Sequence, residues 1–327
     1  MQVLLWSLLR TLSVSDFAFL FLVQLLSMSD EQRAIHIPVM PREVLQWLQL
    51  SAGLTVLDGT LGAAGHSSLI LKAIGDSGRL IGLDRDPMML RLASQKLKSA
   101  NATLIRSSYS DAAAVLKEQE IPGVDRVLLD LGLSSDQLAD RNRGFGFDAG
   151  GPLDMRFHPQ EGRSAAEVLQ EWSESELERI FLEYGEEPQA ARVAAAIGRR
   201  RRRGQSISTG EDLVTCIAEV CGNPVSEPGR TVTTRVFQAL RIAVNEELMH
   251  VEKMLTEVLP GIMNPGGIAV VISFHSLEDR IVKNAFKGHH GWQVLTKTPI
   301  EAMPAEVRIN PRSRPAKLRA AKWLASL

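Results

Sequence analysis

The chain has 327 residues, of which 45% are hydrophobic and 23% charged, and its formal net charge is -1. This composition indicates a soluble globular protein and excludes a disordered chain. Because the molecule has no basic excess, any nucleic-acid binding must depend on local basic patches. The two cysteines, Cys216 and Cys221, have no partner pair and no histidine at zinc spacing. We therefore expect a reducing, cytoplasmic setting without bound metal.

Residues 1–29 are predicted to be an N-terminal extension outside the folded core. The segment is rich in Leu and Phe, but its longest uncharged apolar stretch, residues 17–26, is shorter than the roughly 20 residues that a membrane span needs. We favour an upstream extension of the coding start, with Met28 beginning the functional protein. The alternative is a targeting or interfacial segment. No membrane partner is expected.

Strands and helices alternate from residue 54 to residue 130 at the spacing of βα units, which predicts a parallel sheet. Strands are predicted at 54–57, 79–83 and 103–105, and a fourth ends at Asp130. Helices are predicted at 66–73 and 87–97.

The alternation stops between residues 144 and 235, where we predict only loops and amphipathic helices. Ser173 and Thr209 each begin a capping-box pattern, which is typical of a helix start. Beyond this stretch we predict a long helix over 233–259, a turn at 265–267, a strand that ends at Ser273, and two last strands near Val294 and Leu318. The predicted domains are 30–143 (first part of the core), 144–235 (helical insertion) and 236–327 (second part of the core).

Polar residues follow several of the predicted strands, at the edge where open α/β sheets bind ligands. Gly59, Gly62 and Gly65 give the spacing G-x-x-G-x-x-G, which differs from the dinucleotide pattern G-x-G-x-x-G. Asp58 before the loop favours a ligand with an ammonium group, and Asp84 is placed to accept ribose hydroxyls. Together they indicate S-adenosylmethionine, although the loop taken alone is equally typical of an ordinary tight turn.

Nine segments give the chain a family resemblance between residues 36 and 322. They are 36–40 (HIPVM), 58–66 (DGTLGAAGH), 130–137 (DLGLSSDQ), 143–147 (RGFGF), 151–156 (GPLDMR), 184–187 (YGEE), 234–242 (TRVFQALRI), 272–283 (ISFHSLEDRIVK) and 310–312 (NPR). In these segments the chain closely resembles the RsmH (MraW) family. The resemblance implies a Rossmann-like α/β methyltransferase sheet with an inserted all-helical domain. It also implies S-adenosylmethionine-dependent transfer to N4 of a cytidine in the decoding (P-site) region of bacterial 16S ribosomal RNA, within the small subunit.

The resemblance places cofactor contacts along the predicted carboxyl edge of the sheet. Together with the loop argument, the predicted cofactor residues are Asp58, Gly62, Ala64, Gly65, His66, Asp84, Tyr109, Asp130 and Gln137. Ala64 stands where the family usually has glycine, and Tyr109 stands where an aromatic residue packs against adenine.

The catalytic candidates are His275, Ser134 and Asp154, with His275 first. A structural role is the alternative for His275. For Asp279 and Arg280 beside it, the alternative to a role in the site is an ion pair that caps the following helix. Transfer to C5 of cytosine would need a cysteine nucleophile, and both cysteines lie in the helical insertion. Transfer to an exocyclic amine needs orientation and a proton acceptor instead, and the sequence does not identify that acceptor.

The predicted RNA-binding residues are Arg199, Arg200, Arg201, Arg202, Arg203, Phe145 and Phe147. The arginine run ends a helix and suits phosphates, but such a run is also typical of a solvated face. The two phenylalanines would stack on a flipped base, with core packing as the alternative. Arg308, Arg312, Arg314 and Arg319 form a second candidate patch.

Two other functional classes stay open. A methyltransferase that acts on a small molecule or a protein would keep the cofactor loop without needing the basic insertion. A non-catalytic RNA-binding assembly factor would keep the arginines and tolerate loss of Asp84.

Overall fold

The computed structural model describes residues 38–147, 150–222 and 231–325, which belong to one compact unit spanning residues 37–327. The predicted N-terminal extension lies outside the described residues. The centre of the unit is an eight-stranded sheet. Its strands are β1 (Thr55–Asp58), β2 (Arg79–Asp84), β3 (Ala102–Arg106), β4 (Val124–Asp130), β5 (Met263–Ser273), β6 (Trp292–Val294), β7 (Ile300–Glu301) and β8 (Lys317–Trp323).

The strand order is β3-β2-β1-β4-β5-β8-β6, and β7 pairs with β8. Strands β1 to β5 pair in parallel, which confirms the prediction, whereas β8 is antiparallel to β5, β6 and β7. The order reverses between β1 and β4, and ligands of open α/β sheets bind beside such a reversal, at the carboxyl ends of the strands. The fold therefore directs attention to the edge where β1, β2 and β4 end.

Alternate side chains of the strands pack on opposite faces of the sheet, as the two-residue period of a strand requires. Leu57, Val127 and Val271 belong to one buried cluster, and Val56 and Leu128 belong to another on the opposite face. Burial on both faces explains why these strands are almost continuously apolar.

The helices cover the sheet and fill the long segment between β4 and β5. They are α1 (Pro41–Leu48), α2 (Gly65–Ile74), α3 (Pro87–Lys96), α4 (Ala112–Glu118), α5 (Ser135–Ala139), α6 (Ala165–Glu171), α7 (Glu174–Glu183), α8 (Ala190–Arg202), α9 (Gly210–Cys221), α10 (Val232–Asn245), α11 (Glu247–Lys253), α12 (Leu259–Ile262), α13 (Ser276–Gly288) and α14 (Pro304–Ile309). No helix in the described ranges is long and apolar enough to cross a membrane.

The segment between β4 and β5 is helical, as predicted. Between residues 144 and 235, the described residues include no strand, only an isolated bridge between Pro152 and Thr209. This stretch has its own buried cluster, in which Phe181 is fully buried. Replacing such a side chain with alanine typically costs about 3 to 5 kcal/mol. The cluster also includes Phe237 of α10, beyond the predicted boundary at residue 235.

Both predicted capping boxes are confirmed. The side chains of Ser173 and Thr209 accept hydrogen bonds from the backbone N–H groups of Glu176 and Asp212, whose carboxylates accept the N–H of the capping residue in return. Each box satisfies amides that have no partner inside the helix, which fixes where α7 and α9 begin.

Two predicted elements near the start of β5 were wrong. The single helix over 233–259 is broken at Glu246, which adopts a left-handed conformation (φ 52) that an α-helix cannot continue through. The expected turn at 265–267 is instead part of β5, where the pairing with β4 shifts register between Val124 and Arg126. The two-residue strand β7 is too short to leave a pattern in the sequence.

Candidate active site at the carboxyl edge of the sheet

Asp58 ends β1 and lies beneath the glycine loop. Only 1% of the residue is exposed. Its carboxylate accepts hydrogen bonds from Ser67 Oγ at 2.6 Å and from the Thr60 backbone N–H at 3.2 Å. Burial raises the pKa of Asp58, and the hydrogen bond from Ser67 and the proximity of His66 oppose that rise. The buried carboxylate of Asp58 therefore holds the glycine loop in place and offers no exposed oxygen to a ligand.

The glycine loop needs small residues for two different reasons. A Cβ on Gly59 would lie 2.6 Å from Leu129 Cδ2 and 2.9 Å from Tyr109 Cβ, so no larger residue fits there. Gly62 and Ala64 have left-handed backbones with φ of 51 and 59. That conformation costs about 1 to 2 kcal/mol for a residue with a Cβ, so Ala64 carries a strain that Gly62 does not.

Asp84 ends β2 and holds two neighbouring segments in place. Its Oδ2 accepts the Gly62 backbone N–H at 2.9 Å, and its Oδ1 accepts the Asp86 N–H at 2.8 Å. Burial raises the pKa of Asp84 to about 7, against the opposing effect of these two hydrogen bonds. The residue is partly exposed, and each carboxylate oxygen keeps a second lone pair for a further hydrogen bond.

His66 and Asp130 lie next to each other and carry three buried side-chain atoms without hydrogen-bond partners. His66 Nε2 lies 3.5 Å from Asp130 Oδ2, and the Asp130 backbone N–H donates to Thr60 Oγ1 at 2.6 Å. Within the described residues, neither ring nitrogen of His66 nor Asp130 Oδ1 has a hydrogen-bond partner. Buried polar atoms usually have partners, so these three atoms at the carboxyl edge of the sheet are available to a polar ligand.

Tyr109 lies just after β3, in a 3-10 turn of residues Tyr109–Asp111. Its ring meets the ring of His250 edge-on, with the centroids 6.4 Å apart. Burial, together with nearby Glu247 and Glu278, raises the pKa of Tyr109, so its phenol stays neutral.

The side chains of Ser134 and Gln137 both make hydrogen bonds to other residues of the protein. They form the capping box at the start of α5, and Ser134 Oγ also approaches Met89 Sδ at 3.2 Å. Gln137 is 5% exposed, and its Nε2 donates to Asp86 Oδ2 at 2.8 Å. The structure thus places Gln137 behind the loop, where it supports Asp86.

His275 caps α13. Its ring accepts the Glu278 backbone N–H, its Nε2 lies 3.2 Å from Glu278 Oε1, and 6% of its side chain is exposed. Burial alone would raise the pKa of Glu278, but His275 and Arg241 hold it below the usual value. This geometry matches the structural alternative for His275. The carboxylate of Asp154 is already in an ion pair, because its Oδ2 lies 2.6 Å from Arg156 Nη2.

The interpretation of Asp279 and Arg280 as an ion pair was wrong. Asp279 accepts two hydrogen bonds from Arg319, at 2.6 and 3.0 Å, while Arg280 lies 3.5 Å from Glu186. Arg319 is buried in β8 and therefore does not belong to a surface patch.

Arg312 faces the site, which the sequence did not show. Its Nη1 donates to Ser135 Oγ at 2.6 Å. Burial lowers the pKa of Arg312, and the nearby carboxylates of Asp130 and Asp136 oppose that shift.

Of the five arginine side chains in the run at the end of α8, three bond to other described residues and two do not. Arg200 pairs with Glu219 at 2.5 Å, Arg202 pairs with Glu174, and Arg201 donates to the carbonyl oxygens of Gln170 and Trp172. Arg199 and Arg203 are exposed, and no hydrogen bond or ion pair with a described residue involves their side chains.

The two predicted stacking residues differ in exposure. Phe145 is 6% exposed and packs in the helical cluster beside Phe157, which matches the core-packing alternative. Phe147 is 41% exposed and meets Phe237 edge-on at 4.8 Å.

The strand order, with β8 antiparallel and acidic groups where β1, β2 and β4 end, defines the Rossmann-like fold of S-adenosylmethionine-dependent methyltransferases. The model of the MraW methylase family matches residues 33–324. The chain belongs to this family.

Curated relatives cover nearly the same region. A protein of Elusimicrobium minutum is 46% identical over 88% of this chain and 98% of its own length. A second, from Rhodopirellula baltica, is 43% identical over 88% of this chain and 91% of its own length. Both are named Ribosomal RNA small subunit methyltransferase H. A solved structure described as a putative rRNA-methylase from Clostridium thermocellum aligns with a TM-score of 0.43 and 13% identity, covering 88% of this chain and 100% of that one.

Proposed function

We propose that this protein transfers a methyl group from S-adenosylmethionine to N4 of a cytidine in 16S ribosomal RNA of the small subunit. Membership of a methylase family and the name of its curated relatives, which align over almost their whole length, support methyl transfer to ribosomal RNA. The choice of the exocyclic amine is supported by the chemistry of the site. The single observation that carries the proposal is the group of unpartnered polar atoms on His66 and Asp130 beside the glycine loop.

The residues at the sheet edge fit the cofactor. The free Asp130 Oδ1 and the His66 ring nitrogens suit the ammonium and carboxylate groups of the methionine part. Asp84 retains lone pairs for the ribose hydroxyls, and the neutral ring of Tyr109 suits an adenine face. S-adenosylmethionine supplies an electrophilic methyl group on its sulfonium. Asp58, buried below, keeps the loop in place for this contact.

The positions of the two cysteines argue against transfer to C5 of cytosine. A C5 mechanism needs a thiolate that attacks C6. Cys216 and Cys221 both lie on α9 in the helical segment, and burial raises the pKa of the Cys216 thiol to about 11. Neither residue stands at the carboxyl edge of a strand.

Transfer to the exocyclic amine requires the protein to orient that amine and to accept one of its hydrogens. Ser134, Asp154 and His275 were the sequence candidates for this role. Ser134 and His275 cap helices and Asp154 is ion-paired, while His275 Nε2, 3.2 Å from Glu278 Oε1, has no hydrogen-bond partner among the described residues. Asp130 Oδ1 is buried and free, so it can serve either the cofactor ammonium or the amine of the base. A loss of transfer rate at saturating cofactor in Asp130→Asn would favour contact with the base, and a loss of cofactor affinity alone would favour contact with the cofactor.

RNA contact is proposed for the helical insertion, residues 144–235. Arg199 and Arg203 at the end of α8 offer exposed guanidinium groups to phosphates, and the carboxyl end of a helix, which carries a partial negative charge, suits cations. The exposed ring of Phe147 is the better stacking candidate of the two phenylalanines.

The experiment is to incubate the protein with methyl-labelled S-adenosylmethionine and with small ribosomal subunits, free ribosomal RNA, or a mixture of proteins and metabolites. We expect label in small-subunit RNA, and much less label after Asp84→Asn. Asp76→Asn is a matched control, because Asp76 is exposed on the turn before β2. Label in proteins or metabolites instead of RNA would favour the first alternative class, and RNA binding without any transfer would favour an assembly factor.

A further inference from the structure

Two chains of hydrogen bonds connect the end of β2 with one turn of the helical insertion. We call residues 84–86 the cofactor turn and residues 155–157 the insertion turn. The cofactor turn includes the acid that ends β2, and the insertion turn lies between β4 and α6 in the sequence.

The first connection passes through Arg143. Asp86 donates its backbone N–H to Asp84 Oδ1 at 2.8 Å and accepts Arg143 Nη1 on its own Oδ2 at 2.8 Å. Arg143 Nη2 then donates to the carbonyl oxygens of Arg156 at 2.7 Å and Phe157 at 3.0 Å. One guanidinium group thus spans from the cofactor turn to the insertion turn.

The second connection passes through Asn245, the last residue of α10. Arg85 Nη1 donates to the Asn245 carbonyl oxygen at 2.9 Å. Asn245 Oδ1 accepts the Phe157 backbone N–H at 2.7 Å, and its Nδ2 donates to the Met155 carbonyl oxygen at 2.8 Å. Both connections therefore end on the insertion turn, and they share Phe157.

The Arg143 connection is buried and closely packed. The side chain of Asp86 is fully buried and that of Arg143 is 8% exposed, so water competes little for their hydrogen bonds. A Cβ on Gly144 would lie 2.5 Å from the Pro152 carbonyl oxygen, which shows how closely the residue after Arg143 approaches the segment that leads into the insertion turn. Met155 has a left-handed backbone (φ 61), which these surrounding contacts hold in place.

The insertion turn is also linked onward to the helical segment. The Leu153 backbone N–H donates to the Ser208 carbonyl oxygen at 2.8 Å, and Pro152 bridges to Thr209, the cap of α9. Ser208 follows the arginine-rich end of α8 by only a few residues. The segment that leads into the insertion turn is therefore bonded to the start of α9, a few residues after the end of α8.

We infer that Arg143 and Asn245 are positioning residues that couple occupancy of the cofactor site to the placement of the insertion turn. The inference rests on the proposed function for one premise, that the cofactor contacts Asp84. A ligand that fixes Asp84 also fixes the Asp86 N–H and carboxylate, and Arg143 transmits that constraint to Arg156 and Phe157. Such coupling requires a differential interaction at both ends, and a purely structural ion pair would not respond to the cofactor.

Amide hydrogen exchange of a peptide covering the insertion turn, with and without S-adenosylhomocysteine, tests the coupling without any RNA. We expect the cofactor product to slow exchange in this peptide by about fivefold or more in the wild type, within the usual range of coupling between sites. Arg143→Lys keeps the charge beside Asp86, but a lysine has one terminal nitrogen in place of the two that reach Asp86 and the insertion turn separately in the wild type. We therefore expect less than about a twofold effect of the ligand in that variant.

Arg141→Lys is the matched control, because Arg141 is exposed on the same short turn, and it should keep the wild-type response. Arg85→Gln removes only the second connection and should reduce the response partly, which provides a milder variant if Arg143→Lys does not fold. Calorimetry measures binding of S-adenosylhomocysteine separately. Absence of binding to the wild type would contradict the proposed function. Normal binding without a change of exchange in the wild-type turn, or with an equal change in Arg143→Lys, would overturn the coupling.

Discussion

Asp84 Oδ2 accepts the backbone N–H of Gly62 at 2.9 Å, so the acid that ends β2 holds the glycine loop that follows β1. Substitution of Asp84 should therefore affect the cofactor site in two ways, through lost ribose contacts and through a loosened loop. The same residue is also the titrating group whose pKa burial raises to about 7.

Asp84→Asn should weaken binding of S-adenosylmethionine, because hydrogen bonds to a charged acceptor contribute about 1.5 to 3 kcal/mol each. In the wild type, the ionised fraction of Asp84 rises about tenfold between pH 6 and pH 8, so affinity should rise by up to that factor. The folded-state pKa exceeds the unfolded value of 3.8. This group's contribution to the free energy of unfolding should therefore decrease as pH rises from about 4 to 7. Calorimetry at several pH values measures the affinity, and a pH profile unchanged by Asp84→Asn would contradict this assignment.

His275→Ala should lower the free energy of unfolding by about 1 kcal/mol, the usual loss for removing a helix cap. His275→Asn should recover most of that stability, because asparagine is a favourable cap, and it should keep most of the methyl-transfer rate. Thermal melts and single-turnover rates below the melting temperature measure the two effects. A folded, stable His275→Asn protein with a rate as low as that of His275→Ala would return His275 to the catalytic role.

Replacing Arg199 and Arg203 with Gln should flatten the dependence of RNA affinity on salt. Each lost phosphate contact should change the slope of log affinity against log salt by about 0.7 to 0.9. The control replaces Arg200 and Arg202, whose side chains pair with Glu219 and Glu174. The control should change the slope less and the stability more. Equal slopes for the wild type and the Arg199 and Arg203 double variant would mean that the RNA is held elsewhere.

Cys216→Ser should keep the methyl-transfer rate, because the buried thiol has a raised pKa and lies away from the strand ends. The thiol should also react slowly with iodoacetamide in the folded wild type. The activity of the serine variant and the rate of alkylation measure both effects. A loss of transfer without a loss of folding would reopen a covalent mechanism at C5.

The sequence predicted the sheet well because its strands are short apolar runs that end in polar groups. The predicted end of β4 at Asp130 and the helix starts at Ser173 and Thr209 are confirmed. The break at Glu246 could not be predicted, because neither glycine nor proline marks it and a glutamate rarely adopts a left-handed backbone.

The sequence predicted which residues gather at the candidate site, but not which partners each side chain bonds. His275 and Glu278 have the spacing of a capping box, but histidine is not a common cap, so the sequence left the catalytic and the structural interpretation of His275 about equally open. Arg200 and Arg202 pair with Glu219 and Glu174, far along the chain, and no local pattern shows such partners.

We propose that the protein transfers its methyl group to an exocyclic amine of small-subunit RNA. Mass spectrometry of nucleosides from small subunits methylated by this protein tests it most directly, with fragments of the RNA locating the position. We expect N4-methylcytidine at a single position in the decoding region. C5-methylcytidine, a methylated base other than cytosine, or label confined to protein would contradict the claim.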